Sequence, residues 1–365
     1  MKIGIVHDWL VTNAGAEKVL KNIIDIYPDA DIFSLVDFLS DKDRKDVIDN
    51  RFVKTSFIQN LPFAEKAFRN YLPLFPKAIE SLDLSVYDLI VSSSWAVAKG
   101  VKKTKKQLHI CYCHTPVRYA WDLYDEYTSS LKQPKKFLVQ QTLKRLRKWD
   151  IASLDRVDYF IANSKFVQKR ISKTYNRDSI VIYPPVDTKS FILNENKSDF
   201  YLTACRLVPY KKTKLIVEAF NQMPNKKLIV IGDGEEYEPI KKIAKENITL
   251  LGYQEFESMI SHMQRARAFL YAAIEDFGIV PIEAQSCGTP VIALDDGGTA
   301  ETVIDAVSGV HFKKQTKEDI IDAVKRFETM TFDSKKISLL SQEYSEERFK
   351  KEFKLFVNTK LNQNQ

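Results

Sequence analysis

Glu275 and Glu283 are separated by seven residues in the stretch IEDFGIVPIEAQSCGTPVIA (274–293), with Gly278 and Pro281 between them. Pro281 suits the first turn of a helix, where its missing N–H costs nothing. Gly278 lets backbone approach a ligand closely. Glu275 then falls in a loop and Glu283 early in a helix. The unpaired N–H groups around Phe277, Gly278, Ile279 and Val280, aided by the helix dipole, make an anion site suited to phosphate. A capping acid with a surface acid fits the same letters.

Three more stretches carry polar groups. In Arg206-Leu-Val-Pro-Tyr-Lys211-Lys212, Arg206 and Lys211 can converge on a diphosphate, one as a planar fork and one as a point charge. Solvated surface charge is the competing reading. GGTAETV (297–303) sets two glycines before a helix, with Glu301 in its first turn. His114-Thr-Pro-Val-Arg118-Tyr-Ala-Trp121-Asp122 follows the apolar run LHICYC. A histidine there can touch a substrate or serve as a satisfied structural group.

Such residues need strands that end where they begin. In the first half KIGIVH (2–7), DIFSLV (31–36), DLIVSS (88–93), LHICYC (108–113), DYFIAN (158–163) and SIVIYPPVD (179–187) read as strands, with helical patterns at 16–27, 64–82 and 135–152. The polar stretch TKSFILNENKSD (188–199) reads as a linker. Alternation then restarts: strands at 200–205, 227–232, 248–252, 268–273 and 290–294, helices at 212–222, 235–246, 255–264 and 280–287, and helices to the end. Short, nearly continuous apolar strands alternating with helices indicate parallel sheets covered on both faces. The expected fold is α/β: two Rossmann-like domains, residues 1–187 and 200–340, facing a central cleft. A helix from 341 to 365, with Phe349, Phe353 and Phe356 on one face, docks on its own domain or back across the first. Ligands of such sheets bind beyond the carboxyl ends of the strands, which is where all four polar stretches fall.

Composition sets outer bounds. With 365 residues, 44% hydrophobic and 28% charged, the chain is ordinary globular material long enough for two cores. No apolar run approaches the roughly 18 residues of a membrane span, and the N-terminal letters do not suit a signal peptide; a cytoplasmic protein is expected. Four scattered cysteines imply no disulfide framework, and Cys111-x-Cys113-His114 lacks a second cluster to complete a metal site. The net charge of +7 is uneven: seven basic residues and no acid lie between Lys132 and Lys148, and five lysines between Lys99 and Lys106. Such clusters serve nucleic acid, anionic lipid or a phosphorylated substrate. In the helix 135–152, Val139, Leu143 and Leu146 form an apolar stripe beside Lys144, Arg145, Arg147 and Lys148. That pattern suits peripheral contact with an anionic membrane, and equally a solvated helix packed on its own domain.

Together these motifs resemble the retaining GT-B glycosyltransferases of family GT4 over nearly the whole chain. The two glutamates with FG and EA between them, the Arg206…Lys211 pair, the turn Gly232-Asp233-Gly234, and Gly297-Gly298-x-x-Glu301 all match its pattern. YCHTPVRYAWD and VIYPPVD look most like the mannosyltransferases of bacterial O-antigen and capsule assembly. One departure is Ala14-Gly15-Ala16-Glu17, where the family has a glycine pair.

The resemblance implies transfer of a hexose, mannose from GDP-mannose in the first instance, to a saccharide or lipid-linked oligosaccharide acceptor. A UDP- or dTDP-sugar donor, or a nucleotide-sugar epimerase of the same fold, stands as the alternative. It implies that Glu283 binds ribose hydroxyls, Glu275 the transferred sugar, and Arg206 and Lys211 the diphosphate, helped by backbone near Gly278 and Ile279. His114 would contact the sugar, Gly15 the donor or acceptor, and Gly252 and Tyr253 the base. No cofactor, metal or nucleic acid is expected. A glycoside hydrolase would use paired carboxylates too, but leaves Arg206 and Lys211 without a task.

Overall fold

The computed structural model describes residues 1–129 and 131–364, which form two compact units. The first comprises Met1–Pro185 together with the tail from Phe349 on; the second is Val186–Arg348. In the first, β1 (Ile3–His7), β2 (Asp31–Ser34), β3 (Val53–Thr55), β4 (Leu89–Ser94), β5 (Leu108–Cys113), β6 (Tyr159–Ala162) and β7 (Ser179–Val181) make one parallel sheet. Its strand order is β3-β2-β1-β4-β5-β6-β7. In the second, β8 (Tyr201–Ala204), β9 (Leu228–Ile231), β10 (Ile248–Gly252), β11 (Ala268–Tyr271), β12 (Val291–Leu294) and β13 (Gly309–Phe312) run β10-β9-β8-β11-β12-β13, again all parallel.

Successive residues of a strand face opposite sides, and here both sides are apolar. Ile5, Val91 and Ile110 pack under the Gly15–Ile26 helix through Val19, Leu20 and Ile23. Val6, Phe33 and Ile90 face Phe68, Phe75, Ile79, Leu143 and Leu146 on the other side. The second sheet repeats the arrangement, with Val230, Leu270 and Ile292 on one face and Ile231, Phe269 and Ala293 on the other. In each sheet the order reverses beside its first strand, between β1 and β4 and between β8 and β11. Those switch points are where open α/β sheets take ligands.

Three expectations differ from what is seen, and a fourth, left open between two places, is decided. The pattern at 64–82 is broken into a short helix Ala64–Ala67, a 3-10 segment Phe68–Leu74 and a helix Phe75–Glu80. Pro73 and Pro76 withhold the N–H groups a continuous helix requires. The edge strands β3 and β13 are additions to the strands read from the letters. The polar stretch 188–199 packs on the second unit. Phe191 is buried there against Phe256, and Lys197 Nζ bonds the carbonyls of Gln264 and Cys287 and Thr289 Oγ1 at 2.8–2.9 Å. Finally, Phe349, Phe353 and Val357 of the Glu346–Gln363 helix are buried in the core of the first unit, with Phe349 edge-on to Tyr112 at 5.8 Å.

Among the described residues no helix is long and apolar enough to cross a membrane.

Candidate active site

In the second unit, two loops leave the carboxyl ends of the neighbouring strands β8 and β11. The loop after β8 carries Arg206 and then a 3-10 turn, Pro209–Lys211. It is held by the Gly232–Gly234 turn after β9. Leu207 N–H donates to Asp233 O at 2.8 Å, and Glu236 N–H donates to Leu207 O at 3.0 Å. Gly232, at φ +133°, has no room for a side chain: a Cβ would lie 1.9 Å from Cys205 O. The glycine-rich turn thus acts by pressing the Arg206 loop into place.

Lys211 reaches across to the other loop. Its Nζ lies 2.5 Å from Glu275 Oε1 and 2.9 Å from Tyr271 Oη. Burial works against the charge on Lys211, but Tyr271 and Glu275 outweigh it and the pKa is raised. The ammonium is therefore permanent at any working pH. Arg206 is exposed, and among the described residues no carboxylate pairs with it.

The second loop, 272–278, leads into the helix Ile279–Ser286. Gly278 begins it in the left-handed region at φ +88°, and no side chain caps this end. First-turn N–H groups, here those of Ile279 and Val280, have no acceptor within a helix; Pro281 has no N–H. The buried Thr299 hydroxyl, which a Cβ on Gly278 would approach at 2.7 Å, also has no hydrogen-bond partner. An uncapped helix end beside an unsatisfied hydroxyl, on a loop whose Glu275 holds the Lys211 ammonium, has the chemistry to take an anion.

Gly297 and Gly298 have a structural task that the letters alone did not disclose. Gly298 N–H donates to Glu275 O at 2.7 Å, and a Cβ on Gly298 would lie 2.4 Å from Phe277 Cα. They brace the loop that carries Glu275. Glu283, the fifth residue of the helix, is buried and not at the surface; Phe277 is buried too, against Tyr344. Gly252, at φ +67°, ends β10 and accepts the Gly232 N–H at 2.8 Å, while Tyr253 is 70% exposed beside it. The structure thus brings Arg206, Lys211, Glu275, Gly278, Ile279, Val280 and Glu283 onto the loops and helix at one switch point.

The first unit positions Gly15 and His114. Gly15 opens the Gly15–Ile26 helix; Ala14 before it is extended at φ −131°, a conformation open to any residue. The alanine therefore needs no glycine-like backbone. His114 follows β5 and is largely buried, with Nε2 2.8 Å from Ser93 Oγ. Asp8, after β1, had gone unnoticed as one acid among many. Its carboxylate accepts the N–H groups of Trp95, Ala96, Val97 and Ala98 at 2.6–2.8 Å and so shapes the turn after β4. Tyr271 and Thr299 were missed as well, one inside an apolar strand and one in a glycine loop.

One further sequence expectation changes and one left open is decided. Lys99 leaves the surface cluster 99–106: it is buried, 2.5 Å from Asp150 Oδ1, and Trp121 Nε1 donates to the other Asp150 oxygen at 2.8 Å. The stripe on the Lys135–Ala152 helix faces inward, with Leu143 and Leu146 buried and Val139 packed against the same core. Cys111 and Cys113 are buried free thiols on β5. Among the described residues no group of three His, Cys, Asp or Glu side chains could hold a metal ion.

The two buried histidines of β5 and its end predict an acid limit. Burial pushes His109 down to about 4 and His114, with His7 adding, down to about 3. Unfolded imidazoles titrate near 6.5. Above that pH neither state binds these protons and stability is complete. Below it the unfolded chain takes up protons that the folded chain refuses, so stability falls between about pH 6.5 and 4, at up to about 2.7 kcal/mol per pH unit for two protons. Melting temperatures at pH 7.5, 6 and 5 should decline accordingly; a flat profile contradicts the assignment.

Comparison with known proteins decides what this site belongs to. Residues 15–190 match Glycosyltransferase Family 4 and residues 186–343 match Glycosyl transferases group 1, so the two tile nearly the whole chain. The chain belongs to the family 4 glycosyltransferases. Its two Rossmann-like units are those of the GT-B fold. One relative of this glycosyltransferase is a GDP-mannose-dependent monoacylated alpha-(1-6)-phosphatidylinositol monomannoside mannosyltransferase of Corynebacterium glutamicum, 34% identical over 28% of this chain and 30% of the relative. Another is the O-antigen chain mannosyltransferase RfbU of Salmonella typhimurium, 29% identical over 39% of this chain and 44% of the relative. The aligned part spans about half the length or less of the curated relatives it matches first. Among solved structures, Anabaena HepE in complex with UDP has a TM-score of 0.68 at 17% identity, covering 98% of this chain and all of that one.

Proposed function

We propose that this glycosyltransferase moves mannose from GDP-mannose, with retention at the anomeric carbon, to a lipid-linked saccharide acceptor in the assembly of a bacterial surface polysaccharide. The observation that carries the reading is Lys211, held as a cation by Tyr271 and Glu275 beside a helix end with no cap. Transfer from a sugar nucleotide leaves a diphosphate, and donors already aimed at that developing charge are the largest lever an enzyme has over such a step. Arg206, Lys211, the N–H groups of Ile279 and Val280 and the Thr299 hydroxyl take the diphosphate in this reading. Glu275 releases part of its hold on Lys211 to bind hydroxyls of the hexose, and Glu283 binds the ribose. His114 in the first unit takes a sugar hydroxyl. GDP-mannose is preferred because the Corynebacterium relative is described as dependent on it and the Salmonella relative as a mannosyltransferase.

A melting-temperature panel of GDP-mannose, UDP-hexoses and a dTDP-hexose tests this directly. A ligand at a hundredfold its Kd stabilises by about 2.7 kcal/mol, so GDP-mannose should give the largest shift. A larger shift with a UDP- or dTDP-sugar replaces the donor and keeps the transferase. No shift with any of them overturns the reading.

We also propose contact with the inner face of the cytoplasmic membrane through the start of the Lys135–Ala152 helix. Phe137 and Leu138 are 54% and 63% exposed there beside Lys135 and Lys136, an apolar pair with a basic fringe. Flotation with anionic vesicles at low salt should carry the protein up, and replacing both residues with serine should abolish it. Wild-type protein that stays at the bottom removes the idea.

A further inference from the structure

His114 is joined to the start of the Gly15–Ile26 helix by a buried chain of polar groups. Its Nε2 lies 2.8 Å from Ser93 Oγ, and the same oxygen lies 3.1 Å from His7 Nδ1. The other nitrogen of His7, Nε2, has no hydrogen-bond partner; Glu17 Oε1 is 3.6 Å away. The second oxygen of Glu17 accepts the Ala14 N–H at 3.0 Å. His7, Ser93 and Glu17 are all buried. Trp95 packs edge-on against both imidazoles, at 4.8 Å from His7 and 5.7 Å from His114, and Tyr112 lies 5.2 Å from His114. The rings are therefore held in place, and what remains adjustable is where the protons sit.

With one proton on the His7 ring, only one direction of hydrogen bonding suits a carboxylate at the end of this chain. A lone pair on His7 Nε2 facing Glu17 would set two acceptors against each other in a dry interior. With the proton on His7 Nε2, Nδ1 becomes the acceptor and Ser93 must donate its O–H to it. Ser93 Oγ then has only lone pairs to offer His114, whose Nε2 must carry the proton. Burial keeps the His114 ring neutral, so its Nδ1 is left as a lone pair.

We infer that Glu17, acting through His7 and Ser93, is a positioning residue that fixes His114 as the Nε2–H tautomer and so presents Nδ1 to the substrate as an acceptor. His114 accordingly receives a hydrogen bond from a sugar hydroxyl and does not donate one. The substrate part rests on the proposed function; the tautomer does not. His109 supplies an internal contrast. Its Nδ1 lies 2.7 Å from the carbonyl of Arg156, which can only accept, so His109 must be the opposite tautomer, with its Nε2 receiving the Ser92 hydroxyl at 2.8 Å.

Long-range proton–nitrogen spectra of the full chain labelled with 15N-histidine, at pH 7.5, read both rings. Of the five histidines, the His114 signal is identified by its loss in His114→Gln. The wild-type protein should show a protonated Nε2 on His114 and a protonated Nδ1 on His109. Glu17→Gln should invert His114: the amide oxygen keeps the Ala14 N–H, which turns the amide NH2 towards His7 Nε2 and reverses every bond in the chain. His109 should be unchanged in that variant, which reports an intact fold. A protonated Nδ1 on wild-type His114, an even mixture there, or a His114 that Glu17→Gln leaves unaltered with His109 intact would each overturn the inference. If Glu17→Gln fails to fold, the wild-type spectrum decides alone. Lack of activity with every sugar nucleotide would count against the proposed function and leave these spectra untouched.

Discussion

Lys211→Ala should lower turnover roughly 100- to 1000-fold, about 2.7–4 kcal/mol of lost transition-state stabilisation, with the fold intact. The side chain lies across the gap between two loops rather than within a core, so its removal opens no large cavity. Its charge is matched in the resting protein by Glu275 at 2.5 Å. The diphosphate carries more negative charge as it departs than while it is bound, so the loss should fall on kcat more than on donor KM. Steady-state rates at saturating donor, alongside an unchanged circular dichroism spectrum, make the comparison. Near-normal turnover under those conditions would remove Lys211 from the mechanism, and with it the main support for a diphosphate leaving group.

Asp8→Ala should cost the first unit roughly 4–8 kcal/mol, at one to two for each N–H left without an acceptor. Four backbone donors converge on this one carboxylate, and Ala96, Val97 and Ala98 are fully buried. Water cannot reach them to compensate. A loss of that size is most of the margin by which an ordinary domain stays folded. Asp8→Asn should be milder, because the amide oxygen still accepts two of the bonds while its NH2 meets the other two donors head-on. Urea unfolding followed by tryptophan fluorescence reports on this unit directly, since Trp9, Trp95, Trp121 and Trp149 all lie in it. An Asp8→Ala midpoint close to wild type would show that the turn after β4 holds itself.

How much of this was legible in the letters follows from the range of the forces involved. β5 coincides with LHICYC because a strand buried on both faces must be apolar throughout, and that pattern is local. Glu275, Gly278, Pro281 and Glu283 could be placed on loop and helix for the same reason: a glycine and a proline act on their own backbone. Asp8 could not, because the groups it satisfies lie 87 to 90 residues away. Nor could the bracing role of Gly298, which depends on a backbone approach from a different strand's loop. The stripe at Val139, Leu143 and Leu146 was visible, but periodicity says only that a face is apolar and not what covers it. Phe191 made the opposite error: a single large side chain, sealed by Phe256, anchors a stretch whose other letters are polar.

The placement of Phe349, Phe353 and Val357 in the first unit's core reverses the usual schedule of synthesis. Domains ordinarily finish folding in the order in which they leave the ribosome. Here the stretch made first waits, its sheet lacking part of its cover until the last helix emerges some 160 residues after Pro185. The continuous Val186–Arg348 stretch has all its own parts in hand sooner, so the later-made half matures ahead of the earlier one. During that interval the nascent chain carries an open greasy groove over Tyr112, and chaperone demand should track how quickly translation runs through the intervening Val186–Arg348 stretch.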